Sequence, residues 1–203
     1  IRAKRQKQQL LRIDLDFTNA YNAMSQPALW AIMRAFNIPD VDLLEAMYKH
    51  STVRMKPNSD QNATITFDTG VAQGSVLSPL LFIVFINALL RVLTQTGQKE
   101  NISHGINGLD DFNNLAFCDD MSIFAQDARK MQKLLERVEK FESWSGIKLN
   151  PKKTEVMYVG PKQTEPRQEE QLWYNGGVLK INSEDEIYRL LGYYATADGD
   201  FTE

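Results

Sequence analysis

The sequence predicts an α+β fold, in which helices pack on one face of an antiparallel sheet. Three segments support this prediction. Residues 10–17 (LLRIDLDF) alternate apolar and acidic side chains, as a strand with one wet face does. Residues 113–125 (NNLAFCDDMSIFA) contain two short apolar runs around a tight turn at CDD, which predicts a hairpin with buried flanks. Between residues 128 and 145, apolar side chains recur at spacings of three and four, which is typical of an amphipathic helix.

Each predicted helix begins at a residue that favours helix starts. Serine and aspartate side chains accept hydrogen bonds from the free N–H groups of a first turn, and proline is tolerated there. Glycine, or an Asn-Ile-Pro break, marks the ends. The predicted helices run from Ser25 to about Phe36, from Asp40 to near His50, from Pro79 to a point before Gly97, and from Asp127 to a point before Gly146.

The remaining strands are predicted to be short, with turn-forming residues between them. Thr52–Lys56 and Ala63–Phe67 flank the polar loop PNSDQN and predict a hairpin, and TEVMYV predicts a further strand. After Gly160 the composition changes to PKQTEPRQEEQ, a polar linker, and the β-like pieces LWYN, GGVLKI and YRLLGYYA follow it. We therefore divide the chain into residues 1–160 and a smaller region of residues 161–203.

The composition is that of an ordinary globular protein. The 203 residues are 43% hydrophobic and 24% charged, and the formal net charge is −3. A net negative charge argues against a simple basic surface for nucleic acid, although basic residues cluster in the opening IRAKRQKQQ and at Lys148, Lys152 and Lys153. That opening has no apolar core like that of a signal peptide, and we interpret the start at Ile1 as a cut through a longer protein.

The most apolar stretch, Val76–Leu93, raises the question of a membrane span. It is interrupted by Ser78, Pro79, Asn87 and Arg91. It therefore lacks the roughly 20 uninterrupted apolar residues that a bilayer requires. We predict a buried helix here and no membrane partner.

Aspartates occupy both strand-like segments. Asp14 and Asp16 are two positions apart on a predicted strand, so both side chains point to the same face. Asp119 and Asp120 are adjacent at a tight turn, where their carboxylates repel one another unless a cation relieves them. The alternative is that an aspartate pair at a hairpin tip is simply solvated. Spacing alone leaves both interpretations open.

Five segments, in this order, resemble the motifs of reverse transcriptases. DFTNAY, from Asp16 to Tyr21, is similar to the first motif, in which three variable residues, Ala and an aromatic follow an Asp. GVAQGSVLSPLLFIVFINAL is similar to the second, in the form found in non-LTR retrotransposons and group II intron enzymes. AFCDD is similar to the third, GIKLNPKKTEVM to the fourth, and YRLLGYY to the fifth, a β-hairpin that supports the primer. The resemblance covers roughly residues 10–195, and DFTNAYN is closest to the non-LTR type.

The resemblance implies a right-hand polymerase palm. Residues 1–160 would hold the palm, part of the fingers and the first four motifs, and residues 161–203 would lead toward the thumb. The implied activity is transfer of a nucleotide from dNTP to the 3′-hydroxyl of a DNA primer on an RNA template, with other domains of a parent polyprotein as further partners. The sequence departs from the pattern in two ways: Cys118 stands where the family usually has Ala, and the basic finger motifs expected upstream are missing. The activity is therefore expected to be incomplete in this fragment alone.

The resemblance also implies two Mg²⁺ ions, or Mn²⁺ in their place, about 3.5–4 Å apart. Asp16 and Asp119 would bridge both ions, and the backbone carbonyl of Phe17 would complete one coordination shell. Asp120 would be the second acid of the pair, which is less directly coordinated. The resemblance assigns Asp14 no role, and we predict that it is partly solvated and not catalytic.

Four further residues are implied to act on the nucleotide. Tyr21 would block a ribose 2′-hydroxyl, or it would simply pack against the helix that follows. Gln73 and Gly74 would face template and nucleotide, or they would belong to an ordinary loop. Lys153 would protonate the leaving pyrophosphate, but the adjacent Lys152 is not separated from it, and a surface lysine is the alternative.

Two other functions stay open. An RNA-dependent RNA polymerase shares the palm and its acids, but such enzymes generally have a second Asp in the first motif and a Gly before the paired Asp. Here Tyr21 lies in the first motif and Cys118 directly precedes the paired Asp, which disfavours this function. A polymerase fold kept only as an RNA-binding module would be supported by the loss of an acid, whereas Asp16, Asp119 and Asp120 are all present.

Overall fold

The chain folds into an α+β structure, as the sequence predicts. The computed structural model describes residues 10–49, 51–55, 63–66, 68–72, 74–102, 112–159, 171–182, 188–190, 193–195 and 201–202. In chain order the elements are β1 (Leu10–Leu15), α1 (Ala20–Ala23), α2 (Gln26–Ala35), α3 (Val41–Lys49), β2 (Thr52–Met55), β3 (Ala63–Thr66), α4 (Ser78–Glu100), β4 (Asn114–Phe117), β5 (Asp120–Ala125), α5 (Ala128–Ser145), β6 (Glu155–Val159), β7 (Leu172–Tyr174), β8 (Gly177–Leu179), β9 (Tyr188–Leu190), β10 (Tyr193–Ala195) and β11 (Phe201–Thr202).

A four-stranded antiparallel sheet in the order β4-β5-β1-β6 forms the centre of the molecule. Ile13 of β1 lies opposite Ile123 of β5 on one side and Val156 of β6 on the other, and all three side chains are fully buried. These residues define the core face of the sheet. Because side chains alternate along each strand, a shift of one residue would bring Arg12 or Asp14 to this face. Core packing therefore fixes the register.

Helices α2, α4 and α5 pack together around the core. On α5, the predicted stripe of apolar side chains is buried, and it consists of Met131, Leu134, Leu135, Val138 and Phe141. Phe141 meets Phe85 of α4 edge to face, with ring centroids 5.4 Å apart. By length and composition α4 is also apolar enough to cross a membrane, but 44% of its most apolar stretch is buried inside the fold. The face of α4 that packs against the rest of the fold is therefore buried, as the sequence predicts for this helix.

The predicted helix starts are confirmed. Ala28 donates its N–H to Ser25 Oγ (3.4 Å), and Lys130 donates its N–H to Asp127 Oδ1 (2.8 Å). Helix α3 begins directly after Asp40. At the other end of α5, Gly146 adopts a φ of 88°, which is the left-handed conformation common after helices.

The predicted end of α4 before Gly97 is wrong. The helix continues through Gly97 to Glu100 and ends at Asn101, which adopts a left-handed φ of 52°. Gly97 is buried, and a Cβ there would lie 2.4 Å from Asn113 Nδ2 and 2.6 Å from the carbonyl oxygen of Ile102. Glycine at this position allows close approach of neighbouring chain and does not stop the helix.

The predicted burial of both hairpin flanks is wrong for the first flank. Leu115 and Phe117 of β4 are 54% and 68% exposed, whereas Met121 and Ile123 of β5 are buried. Strand β4 lies at the edge of the sheet, and its register with β5 turns Leu115 and Phe117 to the face opposite the helices. The wet face predicted for β1 is also only partly wet, because Arg12 is 8% exposed.

The smaller hairpins agree with the predictions. Strands β2 and β3 pair antiparallel, as do β7 with β8 and β9 with β10, and β11 adds a third strand to the last pair. The loop PNSDQN and residues 160–170 of the polar linker lie outside the described residues. The division of the chain after residue 160 stays a prediction.

Replacement of Phe85 by Ala should destabilise the fold strongly, because the ring is fully buried between α4 and α5. We expect a loss of about 3–5 kcal/mol in the free energy of unfolding, measured by urea denaturation. Ile83→Ala, on the same helix but 48% exposed, is the control and should cost less than about 1 kcal/mol. Equal losses would show that the buried face of α4 is assigned incorrectly.

Candidate functional site

The acidic segments that lie far apart in the sequence meet at one end of the sheet. Leu15 lies opposite Met121 at the last paired position between β1 and β5. Asp16 follows Leu15 and Asp120 precedes Met121, so the two aspartates end adjacent strands side by side. Residues opposite each other in an antiparallel pair have Cα atoms about 4.5–5.5 Å apart.

A two-residue turn carries the paired aspartates. Phe117 and Asp120 form the last pair of the β4–β5 hairpin, and Cys118 and Asp119 form the turn between them. Cys118 adopts a φ of 56°, in the left-handed region that a two-residue hairpin turn often requires. This conformation is uncommon for a residue other than glycine. Asp119 and Asp120 are both exposed at the tip.

Tyr21 reaches the same turn from α1. Its ring stacks on that of Phe82, with centroids 4.5 Å apart and an interplanar angle of 18°. Burial raises the pKa of the Tyr21 hydroxyl, and the neighbouring Cys118 and Asp119 raise it further. The hydroxyl therefore lies close enough to the acidic turn to feel its charge, while the ring packs on α4. Both of the roles considered for Tyr21 are compatible with this placement.

Lys153 also lies at this end of the sheet. Its Nζ is 3.9 Å from Asp16 Oδ2, and the two side chains are 68% and 39% exposed. An ion pair this exposed contributes little to stability. The ion pair is made by Lys153, whereas Lys152 donates its backbone N–H to Asn150 Oδ1. The geometry therefore favours Lys153 of the two lysines that the sequence leaves unresolved.

Residues 148–150, here called the strap, dock on the chain directly after β1. Asn150 donates its N–H to the carbonyl of Asp16 (2.7 Å), and Thr18 donates its N–H to the carbonyl of Lys148 (2.8 Å). Between these bonds, Phe17 and Leu149 form an isolated antiparallel bridge. The Phe17 side chain is buried, and the role of its carbonyl as a metal ligand stays a prediction.

The loop of the second motif is tied to α1. Val71 donates its N–H to the carbonyl of Tyr21 (2.9 Å), and Gly70 donates its N–H to the carbonyl of Met24 (2.7 Å). Gln26 Nε2 in turn donates to the Gly70 carbonyl (3.1 Å). These bonds hold the start of the loop beside Tyr21, which lies near the acidic turn. Further along the loop, Gly74 is exposed with a φ of 88°, and a Cβ there would meet nothing within 4 Å.

Gln73 lies outside the described residues, so its predicted contact with template or nucleotide stays a prediction. The roles predicted for Gly74 and Lys153 stay predictions as well. For both of these residues the structure shows position and not function.

Asp14 points to the open face of the sheet, like Asp16, but it is held by neighbours. Arg12 Nε donates to Asp14 Oδ1 (2.8 Å), and Ser122 Oγ donates to the same oxygen (2.5 Å). The Asp14 side chain is 19% exposed. Asp14, Arg12 and Ser122 therefore form a local polar network. Arg12 and Ser122 also line a pocket of about 210 Å³ together with Phe117 and Asp120.

The acids offer oxygen ligands but not a complete metal centre of their own. The part of the chain that the structure describes contains no cluster of three or more His, Cys, Asp or Glu side chains arranged to hold a metal ion. Mg²⁺ usually takes one or two carboxylates and completes its shell with water and substrate phosphates. The half-buried carboxylate of Asp16 and the exposed carboxylates of Asp119 and Asp120 fit an ion that is completed in this way.

A family comparison assigns the chain as a whole. Residues 2–194 match the family model described as reverse transcriptase (RNA-dependent DNA polymerase). The chain belongs to the reverse transcriptase family. The family prediction made from the five motifs is therefore confirmed, and so is the predicted palm architecture.

The curated relatives of this reverse transcriptase domain are proteins of R2 elements. The chain is 30% identical over 193 residues to the retrovirus-related Pol polyprotein from type-2 retrotransposable element R2DM of Drosophila melanogaster, covering 92% of this chain and 18% of that protein. It is 26% identical over 155 residues to the Pol polyprotein from type-1 retrotransposable element R2 of Nasonia vitripennis, covering 75% of this chain and 14% of that protein. Both relatives agree with the predicted non-LTR type. The chain spans less than a fifth of their length.

Solved structures with the same fold include telomerases. The apo telomerase of Candida tropicalis, truncated from the C-terminal domain, superposes with a TM-score of 0.67 at 14% identity, over 97% of this chain and 36% of that one. The telomerase of the same species in complex with a TWJ fragment of telomeric RNA gives a TM-score of 0.66 at 12% identity, over 96% and 30% of the two chains. At this identity the likeness establishes the fold alone.

Two features of the site escape analysis of the sequence. Glu142 lies on the buried side of α5, where its carboxylate is bonded to Tyr174 and to the strap. The sequence does contain an indication that Glu142 is buried, because Glu142 follows Val138 by four positions and so lies on the apolar stripe of the helix. For the contact between Gly70 and α1 there is no such signal, since the partners are distant in sequence.

Gly70→Ala should disturb the site more than Gly74→Ala. Both glycines have positive φ (72° and 88°), so backbone strain is similar in the two variants. A Cβ at Gly70 would lie 2.6 Å from backbone atoms of Tyr21 and Asn22, whereas one at Gly74 meets nothing within 4 Å. We expect Gly70→Ala to lower the free energy of unfolding by about 1–3 kcal/mol more than the control, measured by urea denaturation. Equal losses would contradict the docking of this loop on α1.

Proposed function

We propose that this chain forms the palm of an RNA-directed DNA polymerase of a non-LTR-type retroelement. The observation that carries the proposal is the meeting of Asp16 with the Asp119–Asp120 turn at one end of the sheet, in a chain that belongs to the reverse transcriptase family. The reaction joins the α-phosphate of a dNTP to the 3′-hydroxyl of a DNA primer. An RNA strand is the template.

The three carboxylates are proposed to hold two divalent cations. Asp16 and Asp119 would hold both ions, the Phe17 carbonyl would add a ligand, and Asp120 would be the second acid of the pair. When bound, Mg²⁺ ions stabilise the attacking and leaving oxygens and help to deprotonate the primer hydroxyl. Because Asp119 and Asp120 are exposed and Asp16 is only half-buried, the remaining ligand positions are open to substrate phosphates.

The neighbouring residues are proposed to select and handle the nucleotide. Tyr21, fixed by its stacking on Phe82, occupies the space of a 2′-hydroxyl and so favours deoxynucleotides. The exposed backbone at Gly74 and the side chain of Gln73 contact template or nucleotide. Lys153 gives a proton to the pyrophosphate as it leaves, since its ammonium group already lies beside Asp16.

The proposal extends to partners outside the chain. The R2 relatives are named as Pol polyproteins, and this chain covers 18% and 14% of them. We infer that RNA template, DNA primer and dNTP bind across this palm together with other domains of a longer polyprotein.

Asp119→Asn should abolish primer extension by the full-length protein that carries this sequence. Asp119 would be one of the carboxylates that hold the metal ions, and its loss would remove several kcal/mol of transition-state stabilisation, so we expect the rate to fall about a thousandfold. Asp42→Asn, an exposed aspartate paired with Arg34, is the matched control and should leave the rate unchanged. The measurement is extension of a labelled primer on RNA in Mg²⁺. Full activity of Asp119→Asn would refute the proposed role of this carboxylate, whereas an inactive wild type would favour a fold retained for RNA binding.

Tyr21→Ala should allow ribonucleotides to be incorporated. Without the ring, the 2′-hydroxyl meets no obstacle, and we expect discrimination against ribonucleotides to fall at least about tenfold. Tyr21→Phe keeps the ring on Phe82 and should keep the discrimination. The measurement is the ratio of kcat/KM for dNTP and rNTP. A wild-type preference for rNTP would identify an RNA-dependent RNA polymerase.

A further inference from the structure

Glu142 carries a carboxylate that is buried in the fold and lies apart from the acidic turn. Glu142 lies on α5 and is 2% exposed. Tyr174 donates its hydroxyl to both carboxylate oxygens (2.7 and 2.7 Å), and Leu149 donates its N–H to Oε1 (2.5 Å). Burial of a carboxylate costs several kcal/mol unless hydrogen bonds offset it. The fold therefore keeps this group for the contacts that it makes.

Those contacts join three parts of the molecule. Glu142 belongs to α5, Tyr174 to β7, and Leu149 to the strap. Strand β7 is itself fixed on α5, because Trp173 donates its N–H to Gln132 Oε1 (2.8 Å) and Gln132 Nε2 donates to the Trp173 carbonyl (2.9 Å). Tyr174 and Glu142 are thus bonded to each other, and Glu142 holds the strap against α5.

Hydrogen bonds connect the strap to Lys153. Leu149, held by Glu142, is followed by Asn150, whose N–H bonds to the Asp16 carbonyl (2.7 Å). The Asn150 carbonyl then accepts the N–H groups of Lys153 (3.1 Å) and Thr154 (2.9 Å) in a tight turn. This turn places the Lys153 ammonium 3.9 Å from Asp16 Oδ2.

The Tyr174 hydroxyl is suited to a constant supporting role. Burial raises the pKa of Tyr174, and the hydrogen bond to Glu142 raises it further. The group therefore stays protonated, and stays a donor, throughout the neutral and moderately alkaline range in which a polymerase is assayed.

We propose that Glu142 and Tyr174 are positioning residues that hold Lys153 beside the catalytic acids. They touch neither substrate nor metal, and they act through the strap. This inference rests on the proposed function, because it assigns Lys153 the proton transfer to pyrophosphate. It adds that the efficiency of this transfer depends on a buried carboxylate and a hydroxyl on the far side of the strap.

A double-mutant cycle in the full-length protein tests this inference. The variants are Tyr174→Phe, Lys153→Ala and their combination, and the measurement is the single-turnover rate of dNTP incorporation. We expect Tyr174→Phe to slow the wild type about tenfold, but to change the rate less than about twofold when Lys153→Ala is already present. Tyr48→Phe removes the hydroxyl of another largely buried tyrosine, whose ring packs against Trp30, and should change neither rate.

Additivity decides between positioning and general destabilisation. Equal fold-losses for Tyr174→Phe in both backgrounds, or no loss in either, would overturn the inference. Glu142→Gln keeps an oxygen for the Leu149 N–H, and it replaces Tyr174→Phe in the same cycle if the latter does not fold, with the same outcomes.

Asp119→Asn, assayed in parallel, distinguishes failure of the positioning role from failure of the proposed function. If the wild type extends primers and Asp119→Asn does not, an additive cycle refutes the positioning role alone. If the two proteins extend primers equally, the proposed catalytic site fails, and the positioning role fails with it because it depends on that site. If neither protein extends primers, the proposed function itself fails.

Discussion

The position of β1 between β5 and β6 is the constraint on which the rest of the molecule depends. The register that buries Ile13 against Ile123 and Val156 also decides where Asp16 falls, because side chains alternate along a strand. It places Asp16 just beyond the last paired residue, beside the β4–β5 turn. Hydrophobic packing far from any substrate therefore sets the geometry of the acids.

The end of the sheet that carries the acids is locally unfavourable, and the surrounding fold offsets this. Carboxylates gather there, and Cys118 adopts a left-handed backbone conformation. The strand end is held largely through backbone hydrogen bonds, from the strap to Asp16 and Thr18 and from the second-motif loop to Tyr21. A frame built on main-chain bonds tolerates wide changes of side chain. This agrees with a fold shared with a telomerase at 14% identity.

Most of the fold was predictable because local signals and tertiary contacts agree. The caps at Ser25 and Asp127 and the apolar stripe of α5 each follow from a few neighbouring residues. The errors arose where tertiary contacts prevail. Gly97 suggests a helix end, but it serves close packing inside α4, and Phe117 is apolar, yet its place on an edge strand leaves it exposed. Neither the packing around Gly97 nor the edge position of the strand that carries Phe117 can be predicted from the neighbouring residues in the sequence.

By itself the sequence determined the family, the fold class and the candidate acids, because ordered motifs and periodic apolar residues are properties of the chain alone. Only the tertiary structure decided which residues meet. It placed Lys153 rather than Lys152 at Asp16, Tyr21 near the turn that carries Asp119, and Glu142 against the strap. The reason is physical: strand register and helix packing bring residues together across long sequence separations, and spacing along the chain carries no record of those distances.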